Sequence, residues 1–148
     1  MRKRTEKSKY KHESTGEYCT CAAYAAEIMC MKYAEHKNVG SLPFKFWNVK
    51  PWDWTFKKQL FAARKLIKRY SEEALIRAIR SPEWGKIFSL NNKKGISIIK
   101  KYQNIIKQER EKDLQELDVK DNPTTRSKSF GKKSTLSRLR NKNGEKKE

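Results

Sequence analysis

Several features that would assign a function directly are missing from this sequence. No uninterrupted apolar segment approaches the roughly 18 residues that a membrane-spanning helix requires, and no apolar secretory signal lies near the N-terminus. We therefore expect an intracellular protein, in the cytoplasm or in the nucleoid or nucleus, without membrane contact. The sequence also has no P-loop, no dinucleotide-binding glycine pattern and no serine nucleophile elbow, so no enzyme motif is present.

Cysteine is scarce as well. The chain has three cysteines, an odd number, and all lie within residues 19–30, so reduced thiols are expected rather than a disulfide framework. Together with His12, the residues Cys19, Cys21 and Cys30 could form a small zinc-binding module, because thiolate and imidazole are ligands that zinc prefers. On one continuous helix, however, Cys19 and Cys21 would point to nearly opposite sides. Packed cysteines explain the pattern better, and we predict no metal and no cofactor.

Acidic residues are few: 17 Asp and Glu stand against 36 Lys and Arg, which gives a formal net charge of +19. Glu27, Glu35 and Asp53 stand singly in the sequence. A nuclease would usually gather several carboxylates around a metal ion. We therefore expect no catalytic activity.

The positive charge is concentrated in a segment that can fold. Residues 57–107 contain fourteen Lys and Arg but only three acidic residues, and the same segment is periodic in apolar residues. Such a concentration of charge on ordered helices is unfavourable unless an anionic partner compensates it. Nucleic acid is the leading partner for a surface of this kind.

Apolar spacing predicts an all-α fold, a small four-helix single domain with an aromatic-rich connecting loop. We expect a disordered basic arm over residues 1–15, the helical basic domain over residues 16–118 and a disordered basic tail over residues 119–148. The first helix should cover residues 17–37, and Thr55 should cap a second helix that runs to about residue 70. Ser71 should cap the third helix, and the fourth should begin after Gly95.

The connecting loop holds five large aromatic residues in eleven positions, residues 44–54. Side chains of this size are expected to close the core of a small domain. We predict burial for Phe46, Trp47 and Trp54, while Trp52 and Trp84 could be either buried or exposed to stack on unpaired bases.

The basic segment divides into three groups of candidate nucleic-acid contacts. Long cations on the second helix are expected to bind phosphates: Lys57, Lys58, Arg64, Lys65, Lys68 and Arg69. Arg77 and Arg80 of the third helix are candidate base readers, because Arg can bond guanine bidentately. Lys93 and Lys94 form a flank. The short connection between the second and third helices is similar in outline to a helix-turn-helix, which slightly favours duplex DNA over RNA.

A second hypothesis is open for the same surface. The chain could be a protein-interaction adaptor whose basic surface binds an acidic protein, in place of nucleic acid. A partner that remained bound after nuclease treatment and at high salt would favour this alternative.

Overall fold

The structure is a computed structural model that describes residues 2–121 of the chain, with side chains through residue 119. It is mostly helical, as the sequence predicted. Two short strands, β1 (Tyr10–Lys11) and β2 (Tyr18–Cys19), precede four α-helices. The helices are α1 (Cys21–His36), α2 (Trp52–Arg69), α3 (Glu72–Arg80) and α4 (Lys93–Asp121). Short 3-10 turns at Phe46–Asn48 and Pro82–Trp84 complete the described secondary structure.

At both ends of the helical domain, the structure differs from the boundaries that we predicted for the arm and the tail. Residues 10–15, predicted to belong to a disordered arm, lie in a hairpin in which β1 pairs with β2 in antiparallel register, Tyr10 opposite Cys19. At the other end, the predicted tail over residues 119–148 lies almost wholly outside the described residues, and residues 119–121 continue α4. Within residues 2–121, every helix is too short or too polar to cross a bilayer.

A buried carboxylate explains why the hairpin is ordered. Glu27 of α1 is fully buried and accepts hydrogen bonds from His12 Nδ1 at 2.8 Å and from the Glu13 N–H at 3.1 Å. Its other oxygen accepts from the N–H and the hydroxyl of Ser14, at 3.0 and 2.6 Å. Burial alone would raise the pKa of Glu27, but the hydrogen bonds from His12 and Ser14 outweigh it and lower that pKa. Glu27 therefore fixes the turn between the strands to α1.

Helix α1 begins later than predicted because Tyr18 and Cys19 belong to the hairpin. The Thr20 hydroxyl caps the helix by accepting from the Ala23 N–H at 3.3 Å. Ala25 of α1 and Ala63 of α2 are both fully buried in the main core cluster. Small side chains at these positions let the two helices pack closely. This close packing of α1 against α2 fixes the orientation of α2.

The aromatic loop is only partly buried. Phe46 is fully buried and meets Trp47, Trp52 and Phe56 edge-on, with ring centroids 5.2–6.3 Å apart. Trp47 and Trp52 are half-buried. The prediction that Trp54 is buried is wrong: its side chain is 72% exposed.

The start of α2 explains the exposure of this tryptophan. The helix begins at Trp52 with Pro51 as its N-cap residue, so the prediction that Thr55 caps it is also wrong. Trp54 therefore lies inside the first turn, two residues before the buried Phe56. Residues two apart on an α-helix point to nearly opposite sides. Trp54 must then face away from the core.

The start of α4 packs against a buried tryptophan. Trp84 is fully buried, and its indole N–H donates to the Ile87 carbonyl at 3.1 Å. A Cβ atom at Gly95 would lie 2.8 Å from the Trp84 ring, closer than packed atoms approach. Glycine lets α4 begin at Lys93, earlier than predicted, and still pack against this ring.

Candidate nucleic-acid interface

The core residues and the cations of α2 lie on different sides of the helix. Its buried positions are Phe56, Gln59, Ala62, Ala63 and Leu66, and they face α1 and the aromatic loop. The six cations that the sequence assigned to phosphate binding are all exposed: Lys57, Lys58, Arg64, Lys65, Lys68 and Arg69. We call the exposed side of α2 that carries these six cations the basic face.

The cations of the basic face lack acidic partners within the described part of the chain. No carboxylate described in the structure lies within 4.0 Å of any of the six. Elsewhere ion pairs are common, for example between Lys101 and Glu83 and between Lys45 and Glu17. Within the described part of the chain, the six cations therefore make no close ion pair that a polyanion would have to break.

Two aromatic side chains stand exposed on the same face. Trp54 is 72% exposed and Phe61 is 61% exposed. Because they are seven residues apart, they lie on one side of α2, separated by about 10.5 Å along the helix axis. Lys65 extends over the Phe61 ring, with its Nζ 4.6 Å from the ring centroid. Cations and aromatic rings therefore alternate along the basic face.

Phe61 borders a groove between α2 and the N-terminal segment. The groove has a volume of about 950 Å³, and both elements contribute charged residues to its lining. Five are cations and two are acidic: Lys7, Lys9, Arg64, Lys65 and Lys68, with Glu6 and Glu72. Lys9 pairs with Glu72 at 2.9 Å, and this hydrogen bond raises the pKa of Lys9. The sequence assigned these two lysines to a disordered arm, whereas the structure holds them beside α2.

Trp54 borders a second, smaller groove of about 400 Å³. Lys58 and Lys86 supply its charge, and Tyr33 and Phe88 supply aromatic surface. Each exposed aromatic residue of α2 thus stands at the edge of a concave surface that also contains lysine.

The two candidate base readers on α3 are engaged inside the protein. Arg77 pairs with Glu73 at 2.8 Å and with Glu109 of α4 at 2.9 Å. Arg80 donates to the hydroxyl of Tyr24 at 3.0 Å, and its guanidinium lies over the Tyr24 ring. Both guanidiniums therefore have intramolecular partners.

The flanking lysines lie at the first turn of α4. Lys93 and Lys94 are both exposed, and the Lys94 N–H donates to the side chain of Asn92 at 2.9 Å. A shallow cleft of about 340 Å³ joins the second half of α2 to this end of α4, with Asn91 and Ile96 on the α4 side. Neither Lys93 nor Lys94 lines this cleft.

The thiols are packed in the core. Cys19, Cys21 and Cys30 are buried and free, and burial raises the pKa of Cys21 and of Cys30 to about 12. Among the described residues, no three His, Cys, Asp or Glu side chains gather closely enough to hold a metal ion. His12, the histidine considered as a zinc ligand, bonds Glu27 instead.

Comparison with protein-family models, with curated proteins and with solved structures finds no match for this chain. The charge and the geometry of α2 are therefore the basis on which a ligand class can be assigned.

Proposed function

We propose that this chain binds nucleic acid through the basic face of α2, and that Lys7 adds a contact from the neighbouring segment. The observation that carries the proposal is the absence, within the described residues, of any carboxylate within 4.0 Å of the six α2 cations. A face that served only for solubility would mix charges of both signs.

The shape of the basic face suits a linear polyanion. The cations of α2 extend from Lys57 to Arg69, at the end of the helix, which is about 18 Å along its axis. Duplex DNA carries one negative charge per about 1.7 Å of its axis, so several phosphates can meet one such helix. If all six cations bound phosphate, the logarithm of affinity would fall against the logarithm of salt with a slope near −5 on B-DNA.

Groove reading by α3 has less support than phosphate binding by α2. The two-residue connection Tyr70 and Ser71 still resembles the turn of a helix-turn-helix. Because Arg77 and Arg80 already bond Glu73, Glu109 and Tyr24, reading bases would require them to give up these contacts. The proposal therefore assigns affinity to phosphate contacts and no sequence preference to α3.

The experiment compares two variants that lose the same amount of positive charge at different places. K65E/K68E changes the basic face, while K100E/K107E changes two exposed lysines of α4. Fluorescence anisotropy with labelled duplex and single-stranded oligonucleotides, between about 50 and 200 mM salt, gives the affinity and its salt slope. K65E/K68E should weaken binding strongly and make the slope shallower by about 1 per lost phosphate contact.

The control variant should stay close to wild type, since its lysines lie off the basic face. Equal losses in the two variants would show that net charge alone attracts the ligand and would overturn the assignment to α2. Binding to no nucleic acid, together with an acidic protein that copurifies after nuclease treatment at high salt, would replace the proposal with the adaptor hypothesis.

A further inference from the structure

The exposed aromatic residues of α2 are not explained by phosphate binding. Trp54 and Phe61 leave 72% and 61% of their surface in water, although exposing large apolar side chains is unfavourable. Neither belongs to the buried core clusters, whose aromatic residues are Tyr24, Phe46, Phe56 and Trp84. Their common position beside cations indicates a ligand with both flat apolar and anionic parts.

We propose that the basic face binds single-stranded nucleic acid, with bases stacked on Trp54 and Phe61 and phosphates held by the neighbouring lysines. This inference rests on the proposed function and names the class of nucleic acid. Sequence-tolerant single-strand binding combines a cationic track with aromatic platforms, because every base has a π face that can stack. The lysines beside the two rings are Lys57, Lys58, Lys65 and Lys68.

The arrangement favours an unpaired strand over a duplex. Inside a duplex, both faces of each base are covered by neighbouring base pairs, so an aromatic ring on a helix surface can reach only base edges. A single strand can turn its bases outward onto such rings. The exposed faces of Trp54 and Phe61 would then be covered by the ligand.

We call Trp54 and Phe61 the two stacking platforms. The distance between them sets a minimum length for the ligand. Trp54 and Phe61 are about 10.5 Å apart along α2, which corresponds to roughly three nucleotides at the 3.4 Å rise per nucleotide of a stacked strand. A dinucleotide can therefore occupy one platform only. Oligonucleotides of about four or more nucleotides should engage both, so affinity should rise sharply across this length.

Concave surfaces beside each platform add contacts for the same strand. Phe61 adjoins the groove that contains Lys7, and Trp54 adjoins the groove that contains Lys86. A strand that follows α2 past both rings therefore meets cations outside the helix at both ends of its path.

The test uses the full chain, with W54A and F61A measured against a single strand and against the duplex of the same sequence. Each substitution should weaken single-strand binding by about 5- to 150-fold, the range for losing one stacked base, and should change duplex binding by less than about twofold. F61W and W54F should restore most of the affinity, because the replacement rings can still stack.

The control is F44A, which removes an exposed aromatic side chain that lies outside α2 and is 71% exposed. It should leave single-strand affinity unchanged, and circular dichroism should show that all the variants fold, since the altered side chains lie on the surface. In the wild type, the single strand should quench the fluorescence of Trp54, and W54A should lose that part of the signal.

The outcomes separate this inference from the function on which it rests. If K65E/K68E weakens binding while W54A and F61A leave single-strand affinity unchanged, the stacking proposal is overturned and the nucleic-acid proposal stands. Equal losses on duplex and single strand in W54A and F61A would likewise overturn the preference for a single strand. If no nucleic acid binds, both proposals fail.

Discussion

Replacing Glu27 by glutamine should loosen the N-terminal hairpin, because four donors converge on its buried carboxylate. One glutamine oxygen can keep both bonds from Ser14, and the new amide can donate to His12 if that ring accepts. The Glu13 N–H then loses its acceptor, and because Glu13 is exposed the cost lies toward the lower end of the roughly 1–3 kcal/mol for an unsatisfied buried donor. The remaining bonds also change from charge-assisted to neutral, which roughly halves their strength. Together these losses predict a decrease of about 2–4 kcal/mol in the free energy of unfolding for E27Q.

The effect should depend on pH in a defined direction. The hydrogen bonds of the folded state outweigh burial and lower the pKa of Glu27 from its ordinary value of 4.5. A carboxyl group with a lowered folded-state pKa contributes stability that is complete above its ordinary value. That stability is lost as the pH falls through the folded-state pKa. Because glutamine does not titrate, the difference between wild type and E27Q should be largest at neutral pH and should shrink below about pH 4.5.

Urea denaturation followed by circular dichroism, at pH 7 and at several lower values, measures this difference. The matched control is E35Q, which alters an exposed carboxylate on the same helix and should change stability by less than about 0.5 kcal/mol. Hydrogen exchange should show faster exchange in E27Q at the amides of the hairpin. An E27Q protein as stable as E35Q at pH 7, or a difference that grows on acidification, would refute the reasoning.

Three further predictions concern other parts of the fold. G95A should lower the free energy of unfolding by about 1–3 kcal/mol, because its Cβ would collide with the Trp84 ring, and a urea midpoint at or above wild type would contradict this. Cys21 and Cys30 should react slowly with iodoacetamide at pH 8 in the folded protein and rapidly in urea, since burial raises both pKa values to about 12; equal rates would contradict their packing. R77A should leave nucleic-acid affinity nearly unchanged, because two carboxylates already engage this guanidinium, and a large loss would return Arg77 to the interface.

Local patterns in the sequence were sufficient to predict that there are four helices, although the starts of α1, α2 and α4 differ from the prediction. The spacing of Phe56, Leu60 and Ala63 assigns one side of α2 to the core, and the structure places these residues there or at the edge of the core. The Ser71 cap is confirmed, since its hydroxyl accepts from the Ala74 N–H at 3.1 Å. These features depend on residues within one or two turns of each other, which a sequence displays directly.

The same spacing also indicates that Trp54 and Phe61 are exposed, which the prediction did not take into account. A core stripe that includes Phe56 excludes Trp54 and Phe61, since both lie on the other side of a continuous helix. The error followed from placing the helix start at Thr55, which treated Trp54 as part of the loop. Moving the start to Trp52 makes its exposure a consequence of helical geometry.

Other features depend on contacts between distant residues and could not be predicted locally. The hairpin is held by Glu27, which lies fifteen residues after His12. The partners of Arg77 and Arg80 include Glu109 and Tyr24, which are 32 and 56 residues away in sequence. From their charge alone, these arginines were predicted to contact bases. Their intramolecular partners become known only from the packing of α3 against its neighbours.

The charges of α2 have opposite consequences in the free and bound protein. Arg64 and Lys68, like Lys65 and Arg69, place like charges four residues apart, an arrangement that costs about 0.2–0.5 kcal/mol per pair. Replacing Arg64 by glutamate would turn its repulsive pair with Lys68 into an attractive one, and Arg64 lies before the last turn of α2, where a carboxylate would oppose the helix dipole. R64E should therefore slightly stabilise the free protein. A surface with only a structural role would gain from that change, whereas a surface that binds a polyanion would lose affinity and salt dependence together. Higher stability combined with weaker binding in R64E is therefore the result that distinguishes a binding face from a solubilising one.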